Sequence, residues 1–201
     1  MAEALQPFNV DLFNMINSLD SAKQAFKAKE GKKLVAEVFH KLLSKYHLES
    51  RLGVGLLHRH FDLAENEKLV EFNNVSVPWE NVRTDDYAGG KVLPSAWLVE
   101  DEKLMPYEFY FSPCGKDAPF SFTGLEEFLE ELVTTIKEEG LEKMLALRMF
   151  PHYKDFTGNL EMTTGRAMIN LAPGEVSQLL KKTDVRGPHA DNRVSNSSPL
   201  I

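Results

Sequence analysis

Two neighbouring stretches decide how this sequence is read: Arg51-Leu-Gly-Val-Gly-Leu-Leu-His-Arg-His-Phe-Asp62 and, after a polar link, Lys68-Leu-Val-Glu-Phe-Asn-Asn-Val-Ser-Val77. Both are rich in Val, Leu and Phe and are bracketed by turn residues, which predicts two strands joined by a short connection. A turn centred on Glu65-Asn66 sets His60 opposite Glu71, His58 opposite Asn73 and Asp62 opposite Leu69. Phe61 then meets Val70 and Arg59 meets Phe72 on the other face. A slip of one residue would mix the polar and apolar sets, which a half-buried hairpin avoids.

Upstream of the hairpin the pattern is helical. Phe8, Leu12, Met15, Ile16 and Leu19 recur at three and four residues, and Val35, Val38, Phe39, Leu42, Leu43 and Tyr46 form a second apolar stripe ending near His47. Downstream, Pro78, Asp85, Asp86, Gly89 and Gly90 mark a loop, and Ala96–Val99 and Tyr107–Phe111 read as strands. Thr123 and Glu126 have capping-box spacing ahead of Leu125, Phe128, Leu129, Leu132, Val133 and Ile136, so a central helix is expected up to Gly140. Met144–Phe150 and Leu160–Leu171 read as strands, the latter turning at Thr163–Gly165, and Pro173 opens a last short helix.

The order helices, strands, helix, strands lacks βαβ alternation. The expected fold is α+β: an antiparallel sheet flanked by two N-terminal helices and a central helix, in one domain over residues 1–182. From Thr183 to Ile201 the chain is polar with scattered Gly and Pro, and is expected to be a disordered C-terminal tail.

Composition narrows the function classes. A net charge of −7 opposes nucleic-acid phosphates and anionic membranes, so neither is expected as a partner. The Lys23–Lys45 basic stretch carries no recognisable binding motif and reads as a solvated helical face. One cysteine, Cys114, rules out an internal disulfide framework and suits a reducing compartment, and no basic leader or long apolar run appears. A cytoplasmic protein is expected. Gly53-Val-Gly-Leu-Leu-His lacks a third glycine and precedes no helix, so it is no phosphate loop.

The segment that could carry chemistry is His58-Arg59-His60-Phe61-Asp62. On an extended strand alternate residues share a face, so His58, His60 and Asp62 point together, with Glu71 beside them. Two imidazoles at this spacing have β-carbons roughly 6–7 Å apart, a span one divalent transition metal can bridge with a carboxylate as third ligand. His58, His60 and Glu71 are thus candidate metal ligands, and the same three are candidate acid–base groups. His152, after Pro151, is a further candidate ligand. The same residues also read as a solvated hairpin face with modest cross-strand pairing.

Gly53, His58, His60 and Glu65 resemble the first motif of the cupin family, whose metal-binding barrels carry a glycine, then His-x-His, then a glutamate. The resemblance covers about a dozen residues. Only four residues separate the glycine from the first histidine, no glycine follows the glutamate, and no second motif can be placed.

Cys114, ahead of the capped helix, is a candidate nucleophile if a histidine reaches it. His40 and His47 share a helical face, and His47 suits a helix C-terminus. Trp79, Trp97, Tyr107, Phe109, Tyr110 and Phe111 form either a core or the wall of a small-molecule pocket. Two functions therefore compete: a small-molecule enzyme with a His-x-His metal or acid–base centre beside an aromatic pocket, and a non-catalytic module that binds a ligand or protein.

Overall fold

Three asparagine and serine signals reshape the N-terminal half. The computed structural model describes residues 5–82, 89–113, 116–150, 160–171 and 194–196. In place of one helix after Pro7 there are two. Asn9 caps α1 (Val10–Asn14) by accepting from the Asp11 and Leu12 amides, and Ser18 caps α2 (Leu19–Ala28) by accepting from the Ser21 amide. Each cap satisfies amides that a continuous helix would have bonded internally. The second expected helix is one rod: α3 (Gly31–Leu34), a π-helical turn (Val35–Phe39) and α4 (His40–Lys45). With α5 (Glu126–Glu138) there are four helical rods among the described residues.

The expected hairpin does not form. β1 (Leu52–Leu56) stops before the histidines and pairs with β6 (Leu145–Met149). The stretch Lys68–Val77 is not one strand but two: β2 (Glu67–Phe72) turns through Asn73-Asn74 into β3 (Val75–Glu80). Both asparagines have positive φ, 52° and 64°, the conformation a two-residue hairpin turn requires and asparagine tolerates. β4 (Gly90–Glu100) and β5 (Lys103–Pro113) form a long hairpin that turns at Asp101-Glu102, again with both φ positive.

β7 (Leu160–Thr164) and β8 (Ala167–Leu171) form the expected hairpin at Gly165. Within the stretch expected to be a tail, β9 (Val194–Asn196) pairs with the outer edge of β7.

The strand order is β1-β6-β4-β5-β2-β3-β8-β7-β9, a strongly curled sheet in the form of a half-barrel. It is mixed and not purely antiparallel, because β2 runs parallel to β5, pairing Val70 with Phe109 and Glu71 with Tyr110. That parallel join follows from the Asn-Asn turn: once β2 is paired on one side with β3, its other edge is free to meet β5.

The helices are not the expected flanking set of two N-terminal helices and a central one: α3–α4 and α5 pack on one face of β4 and β6 and the short α1 on the other. Trp97, Val99, Leu145 and Leu147 face one way along β4 and β6 and bury against Val35, Phe39, Leu42 and Leu43 of the α3–α4 rod and Phe128, Leu129, Leu132 and Ile136 of α5. Their neighbours Ala96, Leu98 and Ala146 face the other way, toward Phe13 and Ile16 of α1 and its exit, Leu57, Leu63 and Tyr107. This alternation is the two-residue period of a strand. Each large apolar side chain fully buried here contributes roughly 1.5–3 kcal/mol. The long rods lie on one side of one end, leaving the second face to a different kind of interior.

Candidate metal centre

The His-x-His segment lies outside the sheet ladder, forms an isolated bridge between Arg59 and Ser18, and bends at His60 and Phe61. Leu57 donates its amide to the Met144 carbonyl at 2.8 Å, and the Arg59 amide donates to the Asn17 carbonyl at 3.0 Å. Arg59 also donates from Nε to the Ile16 carbonyl at 2.7 Å. Leu57 and Arg59 are thereby pinned to one side, and alternation sends His58 and His60 to the other. Asp62 does not join them: it is exposed and pairs with Arg59.

The acidic neighbour of the histidines is Glu161 on β7. His58 Nε2 lies 2.9 Å and His60 Nε2 3.3 Å from the same oxygen, Glu161 Oε2, and the two Nε2 atoms are 3.1 Å apart. All three side chains are buried, none more than 8% exposed. Glu71, expected beside His60, instead accepts from Asn170 Nδ2 at 3.4 Å. His152 and Cys114 lie outside the described residues, as does the helix expected after Pro173.

Proton bookkeeping defines what this triangle is. His58 Nδ1 is 2.9 Å from the Leu56 carbonyl, which can only accept, so Nδ1 carries the proton and Nε2 of the neutral ring presents a lone pair. His60 Nδ1 is held by Thr163 Oγ1 at 2.7 Å. Both rings turn Nε2 toward the carboxylate, and three atoms able to ligate a cation converge on one point. Burial acts to lower the His58 pKa, but the hydrogen bond and charge of Glu161, with help from the Leu56 carbonyl and Glu108, overcome it and raise the pKa. Burial likewise acts to raise the Glu161 pKa, yet the two imidazoles and the charge of Arg148 hold it well below the usual carboxylate range.

More charge surrounds the triangle. In the sheet register Glu71 pairs with Ser76, Ser76 with Met168 and Met168 with Thr163, so these four share a face, and Asn170 and Glu161 lie two residues along on the same face. On the facing wall Gly53 pairs with Arg148, Arg148 with Ala96 and Ala96 with Glu108. A bulge puts Tyr107 between the pairs Ala96–Glu108 and Trp97–Pro106, and this turns Glu108 onto the Arg148 face. Arg148 Nη2 donates to Glu108 Oε2 at 2.6 Å across the small Ala96 side chain. The charges of Arg148 act on Glu161 and Glu71, and that of Glu108 acts on His58, so the two walls look at each other across the curl.

A latch closes one end. Arg166, beside the β7–β8 turn, grips both oxygens of Glu67 and donates to the Asp62 carbonyl at 2.9 Å, tying the hairpin that bears Glu161 to the loop that bears the histidines. The aromatic residues have other duties. Trp97 belongs to the helix-side core, Tyr107 and Phe109 are fully buried, and Trp79 packs on Phe111. His47, with φ of 56°, ends α4 in the left-handed region.

Glu161 was beyond sequence reasoning, since 103 residues separate it from His58. The signal available was a glutamate at a strand position whose neighbours on the same face, Thr163 and Asn170, are also polar. No family model, curated protein or solved structure matches the chain. No helix among the described residues is long and apolar enough to cross a membrane.

Proposed function

We propose that this protein is a small-molecule enzyme built on a single divalent transition-metal ion held by His58, His60 and Glu161. The observation that carries the reading is the donor triangle, with edges of 2.9, 3.1 and 3.3 Å. A tetrahedral ion with bonds of about 2.0–2.2 Å to nitrogen and oxygen separates its ligand atoms by about 3.3 Å. The three ligand atoms are already gathered within 4.8 Å of one another, so little rearrangement is needed.

Three further observations support it. Each imidazole is oriented through its far nitrogen, His58 by a carbonyl, which also fixes its tautomer, and His60 by a hydroxyl, as the rings of metal-binding histidines are. Among the described residues Glu71, Glu108 and Glu161 stand near one guanidinium, Arg148, and this excess of carboxylates suits a divalent ion. Two imidazoles and one carboxylate favour zinc, iron(II) or a neighbouring transition metal over magnesium or calcium.

With three ligands among the described residues, a fourth position is left for water or substrate, which is the mark of a catalytic ion as against a structural one. When bound, such an ion polarises a carbonyl or acidifies a water. The protein's own part is to hold the rings and Glu161 in place and to surround the reacting atoms with fixed charge.

The test is metal content. Protein purified without a histidine tag, incubated with Zn2+ or Co2+ and then desalted should retain one equivalent by elemental analysis. Retention of less than a tenth of an equivalent of either ion would remove the proposal.

A further inference from the structure

Among the described residues Arg148 is the positive side chain whose charge acts on both Glu71 and Glu161, and it is only partly used. Among the described residues its guanidinium makes a single hydrogen bond, to Glu108, out of the five that a guanidinium can donate. A fifth of its side chain is accessible. Its cross-strand neighbours are Gly53 on one side and Ala96 on the other, so neither flank carries a side chain larger than a methyl group. Among the described residues the guanidinium therefore has donors without a partner, between two small neighbours, on the wall facing the donor triangle.

We infer that the substrate is a small organic monocarboxylate, its carboxyl group held by the free edge of Arg148 and a second oxygen placed on the ion. The inference rests on the metal reading above. Planar N–H pairs match a carboxylate, and Arg is the side chain suited to it.

Charge favours one negative group over two. With a divalent ion in place, Glu71, Glu108, Glu161 and Arg148 sum to zero, so a monoanion is balanced by taking up one proton, whereas a phosphate dianion needs two. Glu71 is the group placed to take that proton. Its partner Asn170 stands opposite Glu161 in the β7–β8 ladder, and Glu71 is half-buried. Burial raises the Glu71 pKa, with the charge of Arg148 pulling it down and that of Glu108 pushing it up.

The experiment uses Co2+-loaded protein and two probes of equal size, glycolate and ethylene glycol, followed through the visible cobalt spectrum. Glycolate should perturb the spectrum saturably, while ethylene glycol at the same concentrations should not. Arg148→Gln should weaken glycolate by roughly tenfold or more, through loss of a charge-assisted contact, and yet hold cobalt as tightly as the parent or tighter. Glu71→Gln, which fixes the uncharged state, should bind glycolate at least as well as the parent.

Cobalt retained with glycolate bound equally by Arg148→Gln, or ethylene glycol bound as well as glycolate, would overturn the inference and leave the metal centre standing. Failure of the parent protein to take up cobalt would instead remove the metal centre itself. Should Arg148→Gln not fold, Arg148→Lys, which keeps the charge and loses the planar N–H pair, decides the matter: glycolate bound by it as tightly as by the parent would overturn the inference.

Discussion

The two faces of the same curled sheet are stabilised in opposite ways. On the helix side, Phe39, Leu43, Phe128, Leu132 and Ile136 bury against Trp97, Leu145 and Leu147, and any apolar side chain of similar volume would serve nearly as well. On the other side of the curl, Glu161, His58 and Asn170 are also buried, and each is hydrogen-bonded to a specific side chain. Packing is tolerant of identity and intolerant of lost volume. Buried charge is tolerant of volume and intolerant of a missing counterpart. A chain that keeps three carboxylates, two imidazoles and a guanidinium inside a sheet carries a cost that an apolar filling would avoid, and a function is the natural reason for bearing it.

The contrast can be broken or sharpened by substitution. Phe128→Ala should have the largest effect, a loss of about 3–5 kcal/mol in denaturant unfolding, because it leaves a cavity among side chains that cannot collapse. At a temperature where the variant is still folded, its metal affinity should stay within about twofold of the parent's. A folded Phe128→Ala protein unable to hold metal would show that the two faces are one cooperative unit.

Glu161→Gln should do the reverse, keeping the fold while lowering Zn2+ or Co2+ affinity about 100-fold or more, as competition with a chelator would measure. Loss of an outer-shell partner alone costs 10–100-fold. Thr163→Val, which removes only the hydroxyl that steadies His60, should fall at the low end of that range. Equal affinities for Thr163→Val and the parent would mean that the His60 ring is oriented by packing alone.

The smallest effect concerns the latch. The Arg166 hydrogen bonds lower the Glu67 pKa from 4.5, burial opposing and the Ala64 amide adding to the lowering. A carboxylate whose folded pKa is depressed contributes stability that is present above its unfolded value and lost as pH falls through the lowered one. Thermal unfolding between pH 6 and 3 should therefore show a shallower acid decline for Arg166→Gln than for the parent. Identical slopes would show that Glu67 is not linked to folding through Arg166.

Parts of this architecture are written in local pattern. The stripe Leu125 to Ile136 is legible because an amphipathic helix needs only its own period, and Gly140, at φ of 62°, ends it in the conformation glycine favours. β6 and the β7–β8 hairpin are legible for similar reasons, alternation and a Thr-Thr-Gly turn. The reading around the histidines went astray at Asn73-Asn74, where two β-formers flank a turn pair that composition hides inside a strand. Reading that pair as a turn would have split the stretch and released His58–Asp62 from the supposed hairpin. The cap residues Asn9 and Ser18 were equally visible and equally decisive.

The amino-acid order alone determined that His58 and His60 would emerge on one side of their segment, because alternation is a property of the backbone and holds with or without a sheet partner. Only the tertiary structure decided that Glu161, not Glu71, completes the group, and that Arg148 and Glu108 face it. Cross-sheet partners are set by strand order and curl, which depend on the summed burial of the entire chain. No window of sequence around the histidines contains that sum.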